Sequence, residues 1–228
     1  MELSLRDAVL QANLDIVRQG LVLSTFGNVS GFDQQAGRIY IKPSGVPYER
    51  LIADDMVVCD TDGRALDNRL RPSSDIDTHA VLYKAFPGIG AVVHTHSTFA
   101  TIMAQVRLAI PVLGTTHADY FRGTIPVTRP LSADEAGRNY VANTGLVIAQ
   151  AFERIDPLSI PAVLVAGHGP FVWGKTPQEA VNNAVILEEV ARLAWHSLAL
   201  SPDLQPISDA LMDRHYLRKH GAAATYGQ

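Results

Sequence analysis

Two histidines, His94 and His96, stand two residues apart in AVVHTHS, at the end of a compact β-branched stretch. Side chains alternate along a strand, so residues i and i+2 face the same way and the two imidazoles converge. Neutral imidazole is a common metal ligand, and Zn–N bonds of about 2.0–2.1 Å require this convergence. A lone His-X-His also occurs as two polar residues on the wet face of a strand end, so the pair needs a third member. His168 is the candidate. It lies in AGHGP, directly after the apolar run PAVLVA, between glycines that let the chain turn sharply. Three histidines at strand ends, with no fourth Cys or His nearby, fit a catalytic site with an open position better than a closed structural one. Asp75 is a candidate further ligand or acid/base group, and equally a carboxylate that stabilises a helix N-terminus.

Three short polar turns are candidates for holding an anion: Gly27-Asn28, Ser44-Gly45 and Ser73-Ser74. Ser73-Ser74 precede a predicted helix, whose unpaired N–H groups and dipole favour a phosphate. Lys42 adds positive charge. Taken singly, each is ordinary turn chemistry. Asp119 and Tyr120 in HADYF, and Tyr226 near the C-terminus, read as loop or tail residues. No spacing singles out His79, His117, His196, His215 or His220.

The elements that must position these groups follow from periodicity. Apolar spacing predicts a helix over 3–19 ended by Gly20, then a strand within 21–32 entering the Gly-Asn turn. A strand over Arg38–Ile41 stops at Pro43-Ser44-Gly45, and a helical turn follows near Tyr48–Ile52. DMVVCDTDGRAL reads as strand, Asp-Gly turn, strand. A helix is expected from Ser74, as N-cap, to Phe86, then a buried strand over Ile89–Thr95. Ser97 caps a short helix, and Ile110–Leu113 reads as another strand. A capping box at Ser132 and Glu135 opens a helix interrupted at Thr144-Gly145 and ending near Glu153. Strands are read in PAVLVA and at Phe171–Trp173. Thr176-Pro177-Gln178-Glu179 starts a helix running to about Leu200, and SDALMDRHYLRKHG forms the last one. With no internal repeat or linker, residues 1–228 read as one α/β domain.

The bulk composition is that of an ordinary globular protein: 228 residues, 47% hydrophobic and 18% charged. Nineteen basic and 23 acidic residues give a net charge of −4 without a basic block, which argues against nucleic acid or an anionic membrane as partner. No apolar run approaches the roughly 20 residues that span a bilayer, and the N-terminus has no signal-peptide pattern. The single Cys59 excludes an internal disulfide framework. A cytoplasmic protein is the expectation.

GNVSGFD, IKPSGV, PSSDIDTHAVLYKAFP, VVHTHS and GHGPFVWG, in that order, resemble the class II aldolase/adducin family over nearly the whole chain. GTTHADYFRGTIPVTR and HYLRKHGAAATYGQ look like its ribulose-phosphate 4-epimerase branch. Asp75 agrees, since the aldolase branch typically has Glu there. The resemblance implies a three-layer α/β fold with a mainly antiparallel central sheet flanked by helices. It also implies a divalent metal, usually zinc but alternatively Mn2+ or Co2+, at His94, His96 and His168 with Asp75 beside it. Gly27, Asn28, Lys42, Ser44, Gly45, Ser73 and Ser74 would face a substrate phosphate. Asp119 and Tyr226 would be the acid/base pair, with Thr116 and His215 near the substrate or an interface. A cyclic homotetramer with sites between subunits is implied as well, and the pathway (arabinose, ascorbate or gulonate breakdown) stays open.

The implied reaction converts L-ribulose 5-phosphate to D-xylulose 5-phosphate. C4 is not next to the C2 carbonyl, so its proton is not acidic and simple deprotonation cannot invert it. Cleaving C3–C4 can, because the carbonyl accepts the electrons and glycolaldehyde phosphate is released to turn over before the bond re-forms. Three rivals are an aldolase of the fuculose 1-phosphate type, a non-catalytic adducin-like binding domain, and a metallohydrolase. Asp75 argues against the first, and three convergent histidines against the second. The third requires about eight strand–helix units, which this chain does not show.

Overall fold

The computed structural model describes residues 3–67, 69–221 and 224. Six strands form one sheet: β1 (Asn28–Asp33), β2 (Arg38–Ile41), β3 (Val57–Cys59), β4 (Ala91–His94), β5 (Ala162–Leu164) and β6 (Pro170–Gly174). Their order is β3-β2-β1-β4-β6-β5, and every neighbouring pair is antiparallel.

Eight α-helices accompany them among the described residues: α1 (Leu5–Arg18), α2 (Ile76–Ala85), α3 (Thr98–Val106), α4 (Thr115–Ala118), α5 (Ala133–Gly137), α6 (Tyr140–Ala151), α7 (Pro177–Leu200) and α8 (Asp209–His220). Alternation along the strands separates two faces. Gly31 meets Val9 and Leu5 of α1, and Gly174 meets the start of α7, so these helices cover one face. Ser30 and Trp173 point the other way, toward α2, with α6 packed along it. The expected three layers are present. Val29, Ile39, Val93, Phe171 and Trp173 are buried in a core that runs along both faces.

Local chemistry accounts for most boundaries. Thr176 accepts from the Glu179 N–H with Pro177 at the first helical position, and Ser132 and Glu135 close a capping box. Ser4 and Ser208 cap α1 and α8.

Several expectations need correction. The strand expected within 21–32 begins only at Asn28, because Ser24 is left-handed and Gly27 turns the chain. The return strand after the Asp-Gly turn shrinks to one bridge, Cys59 to Ala65, and the expected strand at Ile110–Leu113 to one bridge, Ile110 to Ile125. α2 starts one residue later than expected, with Asp75 rather than Ser74 at the N-cap position. Ser97 occupies the cap position of α3 without capping it. Glu188 of α7 does so instead, accepting from the Phe99 and Ala100 N–H groups at 2.8 and 3.0 Å. The break in the 132–153 helix falls at Arg138-Asn139, where Asn139 is left-handed. Gly145 sits inside α6 because a Cβ there would lie 2.7 Å from Val81 Cβ, so it allows close helix packing rather than a break.

Candidate metal and phosphate site

The end of β4 and the β5–β6 turn meet at the three histidines. A ligand atom from each of His94, His96 and His168 lies within 4.8 Å of the others. β4 ends at His94, so His96 lies two residues past the strand, yet the rings still converge. His94 is buried and stacks on Phe171 at 4.1 Å between ring centroids. Its Nδ1–H donates to the Pro170 carbonyl at 2.9 Å, leaving Nε2 with a bare lone pair. That Nε2 is 3.2 Å from His96 Nε2. Tetrahedral zinc with bonds of about 2.0–2.1 Å spaces its ligand atoms about 3.3–3.4 Å apart, so the pair fits a shared cation.

Electrostatics favour the same use. Burial pushes His94 below the ordinary imidazole range, and burial together with His94 and His96 pushes His168 down to about 4. Both rings are therefore neutral at neutral pH, as metal ligation requires. For Asp75, burial opposes ionisation. The neighbouring His94 and His79 and the Asn28 amide outweigh it, holding the carboxyl below its ordinary value.

The histidines form one wall of a cavity of roughly 390 Å3. Ser44 and Gly45 from the turn after β2, and Ser73 and Ser74 before α2, line the same cavity. The two turns are pinned together: Ser44 N–H donates to Arg71 O and Ser73 N–H to Lys42 O, each at 2.9 Å. Gly45 is left-handed (φ 70°) and open on its Cβ side. Lys42 is 2% exposed, and burial lowers its pKa. Its Nζ donates to the Pro43 carbonyl and sits 4.7 Å from the Tyr48 ring centroid, and neither contact neutralises the charge. A buried ammonium beside polar turns and a helix start is suited to an anionic group.

Two of the phosphate candidates have other work in this structure. Asn28 Nδ2 donates to Asp75 Oδ2 at 2.7 Å, so its side chain orients the carboxylate. Gly27 (φ 102°) is required because a Cβ would stand 2.7 Å from Val22 and 3.0 Å from the His94 carbonyl. Both still line the cavity, together with Thr25 and Phe26, the latter stacked on His96 with centroids 6.1 Å apart.

Other candidates lie elsewhere. Asp119 caps α4 and is gripped from α8. His215 Nδ1 is 3.1 Å from its Oδ1, and Arg218 Nη2 reaches both carboxylate oxygens at 3.1 Å. Neither Asp119 nor His215 lines the cavity of the histidines. Thr116 lines a separate, smaller cavity of roughly 170 Å3 against α7. Tyr226 lies outside the described residues.

Tyr140 is a neighbour that spacing did not reveal: its hydroxyl is 3.1 Å from His168 Nδ1. Its only sequence cue is a position eight residues past the Ser132 cap, which carries no chemical signal.

Comparison with known proteins accords with this geometry. The family model described as "Class II Aldolase and Adducin N-terminal domain" matches residues 7–195. Relatives from Salmonella paratyphi A and Salmonella typhi, each named L-ribulose-5-phosphate 4-epimerase UlaF, are 54% identical over 224 residues. That alignment covers 98% of this chain and 98% of theirs. Among solved structures, an L-fuculose 1-phosphate aldolase superposes with a TM-score of 0.79 at 23% identity, covering 94% of this chain and 96% of that one. YgbL from Klebsiella pneumoniae, a putative aldolase/epimerase/decarboxylase, gives 0.73 at 25% identity over 92% and 96%. The aldolase match carries the fold alone. With a family model spanning most of its length and full-length relatives above half identity, the chain belongs to the class II aldolase and adducin family.

Proposed function

We propose that this protein is a metal-dependent epimerase that interconverts L-ribulose 5-phosphate and D-xylulose 5-phosphate by breaking and re-forming the C3–C4 bond. The observation that carries the reading is one cavity lined by both the histidine triad and Lys42 with two serine turns. The names and 54% identity of the full-length relatives support it. His94, His96 and His168 would hold the ion, for which zinc is our choice, with Mn2+ or Co2+ as alternatives. When bound, a divalent cation supplies Lewis acidity that stabilises charge on the ketone oxygen as C3–C4 opens.

The chain's own groups do the rest. Lys42, Ser44, Gly45, Ser73 and Ser74 hold the phosphate, so the aldehyde fragment turns over without leaving. A base takes the C4 hydroxyl proton on cleavage, and an acid protonates the new alkoxide on the opposite face; Asp119 and Tyr226 are the proposed pair. Asp119 sits in the α4–α8 cluster rather than in this chain's cavity. In the homotetramer of this reading, a neighbouring copy brings Asp119 and the His215 bonded to it to each site.

The test offers the metal-replete protein L-ribulose 5-phosphate and assays D-xylulose 5-phosphate before and after chelation. Turnover that vanishes on metal removal and returns on zinc addition is expected. No turnover by metal-replete protein, or accumulation of free glycolaldehyde phosphate in place of product, refutes the reading.

A further inference from the structure

Beneath the histidine triad lies a buried polar network that the proposed chemistry does not use. His79 on α2 is 0% exposed. Its Nδ1 lies 2.7 Å from Ser30 Oγ, and Ser30 Oγ lies 2.6 Å from the Tyr83 hydroxyl. Its ring stands edge-on to Phe171, the residue stacked on His94. One helical turn before it, Asp75 accepts from Asn28 Nδ2.

The direction of the network can be worked out. Among the described residues Ser30 Oγ is the hydrogen-bond partner of the Tyr83 hydroxyl, so only a phenolic proton directed at Ser30 leaves no donor of the network idle. The Tyr83 proton then goes to Ser30, and the Ser30 proton to His79 Nδ1. His79 must therefore carry its own proton on Nε2. Burial holds the ring down at about 3, so it stays a neutral imidazole. Nε2 is buried without a hydrogen-bond partner among the described residues, and so is Asn28 Oδ1. One is a donor and the other an acceptor. Both belong to residues that flank Asp75, and unpaired buried polar atoms are uncommon enough to demand a partner.

We propose that His79 is a positioning residue for Asp75: its Nε2–H, through one bridging water to Asn28 Oδ1, locks the carboxamide whose other end holds the carboxylate. A single buried water with a donor on one side and an acceptor on the other satisfies both atoms. The Asn28 amide is then held at both ends and cannot rotate away from Asp75. The network thus transmits the rigidity of β1 and α2 to a carboxylate at the edge of the metal site. This inference rests on the proposed metal-dependent reading, and its test separates the two.

Imidazole 15N spectra of the metal-replete wild type report which nitrogen of His79 carries the proton. The Nε2–H tautomer is expected, and the Nδ1–H tautomer overturns the proposal whatever the activity. In parallel, His79→Leu and His79→Gln are compared for melting temperature, zinc affinity against a chromophoric chelator, and kcat and KM. Leu removes the donor and should weaken zinc affinity or kcat by about tenfold or more. Gln places an amide donor near the Nε2 position and should restore both to within about threefold of wild type. Wild-type behaviour of the Leu variant, or a folded Gln variant as impaired as Leu, overturns the positioning role. Should Leu fail to fold, the tautomer and the Gln variant decide. A wild-type protein without epimerase turnover instead refutes the activity and leaves the tautomer result intact.

Discussion

At the scale of single residues, the proposed metal site depends on which ring nitrogen each histidine offers. His94 commits Nδ1 to the Pro170 carbonyl, which fixes its tautomer and aims Nε2 at His96. Tyr140 plays the corresponding part for His168, with its hydroxyl at Nδ1. Such outer partners orient a ligand ring, and losing one typically costs about 10–100-fold in metal affinity or activity. Tyr140 is 42% exposed, so removing its hydroxyl should not disturb the fold. Tyr140→Phe is expected to weaken zinc binding about tenfold with an unchanged melting temperature. A chelator competition that finds wild-type affinity would remove Tyr140 from the site.

At the scale of elements, α2 lies along β1 in a fixed register. Asn28 meets Asp75, Ser30 meets both His79 and Tyr83, and Phe32 stacks on Tyr83 with centroids 4.8 Å apart. Two strand residues advance about 6.6 Å and four helical residues about 6 Å, so strand positions i, i+2 and i+4 keep pace with one side of the helix. This match delivers Asp75 to the cavity edge. On its far side α2 is wedged by α6, where Gly145 faces Val81 and Thr78 Oγ1 donates to the Val141 carbonyl. Gly145→Ala would gain about 1 kcal/mol of helix propensity. Its Cβ would also stand 2.7 Å from Val81 Cβ and 3.2 Å from the Thr78 carbonyl, a clash that only backbone movement relieves. Overpacking of this kind costs about 1–3 kcal/mol, so a net loss of stability is expected, and more for Gly145→Val. Denaturant midpoints at or above wild type for both variants would show that the helices separate without cost.

At the scale of the whole molecule, buried neutral histidines couple stability to pH. Burial pushes His79 down to about 3 and His117 down to about 4, the latter although its Nε2 bonds the Gly123 carbonyl at 2.8 Å. In the unfolded chain both titrate near 6.5. Between that value and about 4 the unfolded state therefore binds more protons than the folded state, and stability falls as pH falls. Each fully shifted group contributes a slope on the order of 1.4 kcal/mol per pH unit in that window. Metal-free protein should lose stability steadily from about pH 6.5 downward, measured as urea midpoints at pH 7, 6 and 5. Equal midpoints at all three would contradict buried neutral histidines.

How much of this could be read beforehand depends on the range of the interaction. The caps at Thr176 and Ser132, the triad His94, His96 and His168, and the polar turns at Ser44 and Ser73 are written in short stretches of sequence. Their backbone geometry follows from residue type, and the two-residue spacing of His94 and His96 predicted their convergence although His96 lies beyond the end of β4. The cap of α3 was not legible, because Glu188 lies about ninety positions away. Nor was the role of Gly145, which reads as a breaker until Val81 is set against it. The short strands expected at Ile110–Leu113 and after Cys59 dwindled to bridges because propensity cannot say whether a neighbouring strand is there to pair. His79 and Tyr140 carried no spacing signal, and nothing local in the sequence showed that the Asn28 amide, which lines the cavity, would also meet Asp75. By itself the sequence determined residue chemistry, local turns and caps, and the family. Only the tertiary structure decided which distant groups share a hydrogen bond, since those pairings arise when α2 and α6 are laid against the sheet and each buried polar atom must find its partner.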